Sequence, residues 1–199
     1  MQITNSSISG KKVVFESILD TIPGGVSLAV TRLDYLTSGK EYLKAGAPVY
    51  VDIATRVAQV CKSTKSVTGS TATSLTVLKG HHFKVGDSIT DGAFSRIISA
   101  IAASGNYDVI TAPSGLVPAV GTVYNEATAG AASAFSAYAY VPNGLTRDDV
   151  YIKDGNADVA VVKMGTVRAD ALDYPLSAAD KIALRGGAAG TGTSLITVV

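Results

Sequence analysis

From Thr73 to Glu126 the chain is a succession of short β-prone runs, each cut by a Gly-Asp, Asp-Gly or Gly-Asn turn. Leu75 to Leu78 alternates β-formers, Val85-Gly86-Asp87 turns the chain into Ser88-Ile89-Thr90, and Asp91-Gly92 gives a hairpin signal. Phe94 to Ile101 fits a strand or a helix over so short a run. The bracketing pairs Asp91-Gly92 and Gly105-Asn106 decide for a strand. Tyr107 to Thr111 and Thr122 to Asn125 complete a unit of about five strands, a usual sheet size.

The flanks read the same way. Val26 to Thr31 alternates as a strand, Tyr42 to Asp52 reads as a turn feeding a short strand, and Arg56 to Lys62 reads as another. Pro48 suits a strand's first residue, where its missing N–H costs no ladder bond. Tyr138 to Val141, Val150 to Ile152, Ala160 to Arg168 and Leu195 to Val199 are further predicted strands. One helix is signalled: Ser177 can cap it, Asp180 sits at the N3 position of a capping box, and Gly186 can stop it. Lys12 to Leu19 fits neither period and reads as a strand or an ordered arm. The Ser/Thr/Asn-rich start before it is expected to order only when something pins it. A Ser/Thr run over 63–73 marks a boundary, and the small residues from Ala127 to Ala137 read as a connector back. The predicted organisation is an N-terminal arm over 1–20, a β module from 21–62 plus 127–199, and an inserted β subdomain over 63–126.

Composition narrows the function. A net charge of +1 with 17% charged residues argues against nucleic-acid binding, which needs a basic surplus to neutralise phosphates. No run approaches the roughly 18 apolar residues of a membrane span. The opening residues lack a basic start followed by an apolar run, so no secretory leader is expected. The single Cys61 cannot form an internal disulfide, which suits a reducing compartment during folding.

Catalytic residue types do not gather. Adjacent His81 and His82 on a strand would face opposite ways, with no Cys or carboxylate at ligand spacing, so they are read as structural or surface residues. Asp154-Gly155-Asn156-Ala157-Asp158 opens like a calcium loop, yet Val159 stands where the turn glycine belongs and Gly165 where the bidentate Glu belongs. A plain turn is the reading. Cys61 follows Val57 and Val60 and reads as a small core residue. Asp148-Asp149 reads as a turn, and Arg185-Gly186-Gly187 as the helix end. No enzyme, cofactor or metal is expected.

The segment YLKAGAPVYVD (42–52), taken with AYVPNGLTRDDVYIKDGNADVAVVKMGTVRADAL (139–172), a short helix and SLITVV, resembles tailed-bacteriophage head decoration (auxiliary capsid, or capsid cement) proteins. Val161 to Val167 is similar to the family's "strand, G-x-V" element, which would bridge the two ends of the module. The middle unit, through YDVITAPSGLVPAVGTVYNEA, resembles a β insert of phage structural proteins and makes the chain longer than compact members. The predicted fold class is mainly β: a small β-barrel or β-tulip-like module with an inserted β-rich subdomain and one short C-terminal helix. The resemblance implies a virion structural protein on the capsid exterior, made in the host cytoplasm. Its partner would be the major capsid protein, with self-association as a trimer or other oligomer. Its arm could add a strand to a neighbour's sheet edge, with Val13, Val14 and Phe15 as anchors, or pack on its own module. Removing residues 1–19 is expected to weaken shell binding and leave the rest folded. Alternatives are a head-fibre or tail-associated adaptor with fibre proteins as partners, or a host-surface carbohydrate-binding module using some of the nine Tyr residues. Neither nucleic acid nor membrane is an expected partner.

Overall fold

Along several strands every second residue is buried, and this alternation gives each sheet one apolar face. Ala58 and Val60, Leu75 and Val77, and Ile196 and Val198 all point inward between more exposed neighbours. Fully burying one such Leu, Ile or Val contributes about 1.5–3 kcal/mol. The computed structural model describes residues 13–37, 39–71, 73–112, 119–130, 134–155, 157–186 and 194–199.

The first strands are β1 (Phe15–Thr21), β2 (Val26–Leu28), β3 (Tyr42–Leu43), β4 (Pro48–Asp52) and β5 (Val57–Val60). Next come β6 (Ser63–Lys65), β7 (Ser74–Leu78), β8 (Ser88–Thr90), β9 (Ser95–Ile97), β10 (Ala100–Ser104), β11 (Tyr107–Thr111) and β12 (Val123–Ala127). The rest forms β13 (Gly144–Thr146), β14 (Val150–Tyr151), β15 (Asp158–Val159), β16 (Val161–Val167), helix α1 (Ala178–Leu184) and β17 (Leu195–Val198). The protein is mainly β, with one short helix near the C-terminus.

Eight strands make the main sheet, in the order β1-β16-β13-β4-β5-β2-β15, with β17 also on β16. Only Ala160 separates β15 from β16, yet β15 ends that path and β16 is the second strand from its other end. The sheet must therefore curl back towards its own start, and it forms a half-barrel. Inside the curl sit Val26, Leu28, Leu43, Val49, Val51, Val60, Ile152 and Val161. A smaller cluster of Leu145, Val167, Leu176, Leu184, Ile196 and Val198 lies under α1. β3 and β14 pair as a separate two-stranded ribbon.

Residues 63–127 build two further sheets, β10-β11-β7 and β6-β12-β8-β9. Together they enclose Leu75, Val77, Phe83, Ile89, Ile98, Ile110 and Tyr124. This gives seven strands where the sequence suggested about five. The run from Phe94 to Ile101 divides between the sheets: the Ile98 amide bonds to Asp87 and the Ser99 amide to Thr111, so the chain crosses over at that point. Two other expected strands are also corrected. Val30–Arg32 is a 3-10 turn rather than the end of a strand, and Tyr138 to Val141 makes only a single bridge, from Tyr138 to Ala127. The α1 cap follows the sequence signal, with the Asp180 amide donating to Ser177 Oγ at 3.2 Å and the Ser177 amide donating to Asp180 Oδ2 at 2.8 Å.

Gly165 controls how closely β1 can approach β16. A Cβ there would lie 2.4 Å from the Ser17 carbonyl oxygen, where backbone has to move. The ladder carries register shifts on both sides of the Ser17-Ile18 contact, so it has no slack. Gly165→Ala is expected to destabilise the fold by about 1–3 kcal/mol through overpacking. A lower urea midpoint with faster proteolysis near β1 checks it, and an unchanged midpoint contradicts it.

Candidate functional site

The three predicted anchors divide between solvent and partly buried positions. Val13 is exposed, whereas Val14 and Phe15 pack against the cluster under α1. The Val14 carbonyl accepts from the Arg168 amide, and Phe15 opens β1 opposite Val167. Phe15–Thr21, expected within an arm over 1–20, is thus a strand of the main sheet. Its hydrophobic residues supply the reason, since Val14 and Phe15 cover apolar surface of their own module. Residues 1–12 lie outside the described residues. A deletion through residue 19 would remove most of β1 and uncover β16, so the cut that isolates the arm ends at residue 12.

Among the described residues β1 pairs only with β16, which leaves its other edge open. Such an edge presents a row of backbone donors and acceptors that another chain can use. Leu19 is 76% exposed on this strand, and Val13 is 67% exposed just before it. β16 pairs with β1 on one side and with β13 and β17 on the other, so one strand joins both ends of the chain. The two segments that carry the decoration-protein resemblance are also paired: β3 with β14, and β4 with β13.

The densest chemistry lies elsewhere, in a buried polar seam where residues 63–127 meet the main sheet. Lys62, almost wholly buried, donates to Asp87 at 2.6 Å and lies 3.2 Å from Glu126. Glu126 also takes Arg32 at 2.6 Å, and that guanidinium lies over the Tyr140 ring at 4.3 Å. Lys40, equally buried, bridges Asp34 at 2.9 Å and Asp108 at 3.4 Å. Burial alone would raise the Asp34 carboxyl, but Lys40 and Thr37 hold it below its ordinary value. His81 beside Asp108, with Lys40, likewise holds that carboxyl low against the effect of burial.

Both histidines are buried in the seam, in the loop between β7 and β8, rather than on a strand. His82 Nδ1 is 2.8 Å from the Asp34 carbonyl, which can only accept, so this nitrogen carries the proton. Nε2 then accepts from the Tyr174 hydroxyl at 3.0 Å. Burial, opposed by that carbonyl and reinforced by nearby Lys40 and His81, lowers His82 to about 4. His81 is also lowered, by burial first and against the pull of Asp108. Burial pushes the Tyr174 hydroxyl well above its ordinary value. His82 is therefore a neutral imidazole with both ring nitrogens hydrogen-bonded.

The other sequence candidates take bland positions. Cys61 is buried, and burial with Asp180 and Glu126 nearby pushes its thiol well up, away from the reactive thiolate. Asp154-Gly155 forms a turn with Gly155 at φ +86°, and Asn156 lies outside the described residues. Of the tyrosines, Tyr42 and Tyr151 make an exposed pair with ring centroids 5.0 Å apart. The seam ions were not evident in the sequence, although one signal was present: in the strand expected over Arg56 to Lys62, Lys62 continues the alternation of Ala58 and Val60, whereas the observed β5 ends at Val60. Among the described residues no helix is long and apolar enough to cross a membrane. Comparison with protein-family models, curated proteins and solved structures finds no match.

Proposed function

We propose that this chain is a virion structural protein that binds the exterior of a tailed-phage capsid and stabilises the lattice by contact, without catalysis. The observation that carries the reading is the open edge of β1, with exposed Val13 and Leu19, on a sheet built from the segments that resemble decoration proteins. An extended segment of the major capsid protein can pair with such an edge, which supplies backbone hydrogen bonds for affinity and side-chain contacts for register. A protein that binds the assembled lattice and not its free subunits stabilises that lattice by mass action. A standard interface of about 1,600 Å² per copy suffices, because many copies act in parallel. The closed hydrogen bonding of His82 and the raised Cys61 thiol support binding over chemistry.

Cosedimentation with expanded phage shells tests this. The full chain is expected to pellet in copy numbers comparable to the major capsid protein. Leu19→Asp, which puts a charge on the open edge and touches no core, is expected to weaken binding at least tenfold at unchanged stability. Removal of residues 1–12 separates the arm's contribution from that of the edge. A chain that stays in the supernatant overturns the reading, and a few copies per particle points to a fibre or tail adaptor.

A further inference from the structure

β10 is an edge strand: among the described residues it pairs only with β11, over successive residues with no register shift. Natural sheet edges usually carry a charge, a proline or a bulge that discourages further pairing. Here residues 97–107 (IISAIAASGNY) hold neither charge nor proline, and all of β10 except Ile101 is exposed. The other neighbour of β11 fixes the phase of the hydrogen bonds. The Ala112 amide bonds to the Thr73 carbonyl, so Asp108 and Ile110 bond towards β7, while Tyr107, Val109 and Thr111 bond towards β10. Their partners Ser104, Ala102 and Ala100 therefore face β11, which leaves the amides and carbonyls of Ile101 and Ala103 pointing off the open edge. We propose that a second copy of this chain pairs there, β10 against β10, antiparallel about a two-fold axis at Ala102. The inference stands independently of the capsid reading.

The strand is its own complement. In that register Ile101 of each copy exchanges backbone hydrogen bonds with Ala103 of the other, which satisfies every outward amide and carbonyl of both residues. Ala102 meets its own copy in the close, non-bonded pair. A two-fold pairing brings equivalent residues within a few ångströms of each other, so a charged strand repels its copy and this uncharged one does not. Side-chain sizes fit as well. Ile101 and Ala103 stand on the face that carries Ile110 and Asp108, and there the large residue of one copy lies beside the small residue of the other. Ala103 borders a cavity of about 390 Å³ with apolar walls at Phe83, Val85 and Ile101. The second copy's Ile101 arrives beside that space. The polar lining is already engaged: Lys40 holds Asp34 and Asp108, Thr37 donates to Asp34, and Lys84 donates to the Thr31 carbonyl at 2.8 Å. An apolar side chain therefore meets no unpaired charge there. The pairing joins β7-β11-β10 of both copies into one continuous sheet, with the same patch used on each side.

Sedimentation velocity of the full chain over a range of concentrations, without phage shells, provides the test. A reversible dimer is the expected result. Ala102→Lys sets two like charges at the axis on an exposed position, and is expected to weaken the dimer at least tenfold with an unchanged circular dichroism spectrum. Ala103→Pro removes only an outward amide and is expected to act in the same direction. Ala102→Cys gives a positive readout. Cα atoms about 4.5 Å apart across a non-bonded pair lie within disulfide range, so mild oxidation is expected to link two copies through residue 102. Ser104→Cys, set against Ala100 of the other copy, is expected to link far less, and the native Cys61 is buried. A chain that stays monomeric at every concentration tested overturns the proposal. So does an oligomer that Ala102→Lys leaves intact, or cross-linking as efficient from residue 104 as from residue 102.

Discussion

Lys62→Met is expected to destabilise the protein by about 3–5 kcal/mol, the range for removing one partner of a buried ion pair. The lysine side chain is 1% exposed and holds Asp87 and Glu126 together. Its loss leaves Glu126 buried with Arg32 alone, and leaves Asp87 with the Lys84 amide. Methionine keeps most of the volume, so the cost comes from uncompensated charge rather than from a cavity. The location makes the effect long-range: Lys62 ends the run from β5, Asp87 precedes β8, and Glu126 lies on β12. Equilibrium urea unfolding checks the magnitude. Combining Lys62→Met with Glu126→Gln should cost less than the sum of the single changes, because the second removes the charge that the first orphans. Additive costs would show that the pair contributes nothing beyond packing.

What could be read from the sequence follows interaction range. The capping box of Ser177 and Asp180 spans three residues, and the Gly105-Asn106 hairpin is written in adjacent positions, with Ser104 opposite Tyr107 and Gly105 at φ +58°. Strand alternation is equally local, which is why a mainly β fold with one short helix was legible. The seam is the opposite case: Arg32 and Glu126 are 94 residues apart, and His82 and Tyr174 are 92 apart. Nothing near Lys40 in the chain announces Asp108, so its burial could not be seen. The split of 94–101 between two sheets has the same origin, since Asp87 and Thr111 decide it from opposite sides. Val14 and Phe15 pack against a cluster that runs from Leu145 to Val198, so no local pattern around them announces their partial burial.

Lowering the pH from 7 towards 4.5 is expected to weaken the fold by about 2–3 kcal/mol, chiefly through His82. An unfolded histidine takes up a proton below its ordinary value near 6.5, whereas folded His82 resists until about 4. Between those limits the unfolded state binds more protons, so stability falls steadily as pH drops through the window. Full separation of the two values corresponds to about 3 kcal/mol. The groups facing His82 set the sign: Lys40 and His81 oppose a positive ring, the Asp34 carboxylate favours one, and desolvation outweighs both. Geometry agrees, because a proton on Nε2 would compete with the Tyr174 hydroxyl that donates to it. Asp34 and Asp108, held below their ordinary values, act in the same sense, since the unfolded carboxyls also take up protons first, but their contribution is lost only at lower pH, after the histidine window has closed. His81 adds to the same slope in the same direction. Urea midpoints at pH 7, 6, 5 and 4.5 check the trend, and His82→Gln should remove most of it. A variant as pH-sensitive as the parent would place the titration elsewhere. The seam joins the two β assemblies, so amide hydrogen exchange in the segments that cross it, corrected for its intrinsic pH dependence, should accelerate over the same pH range.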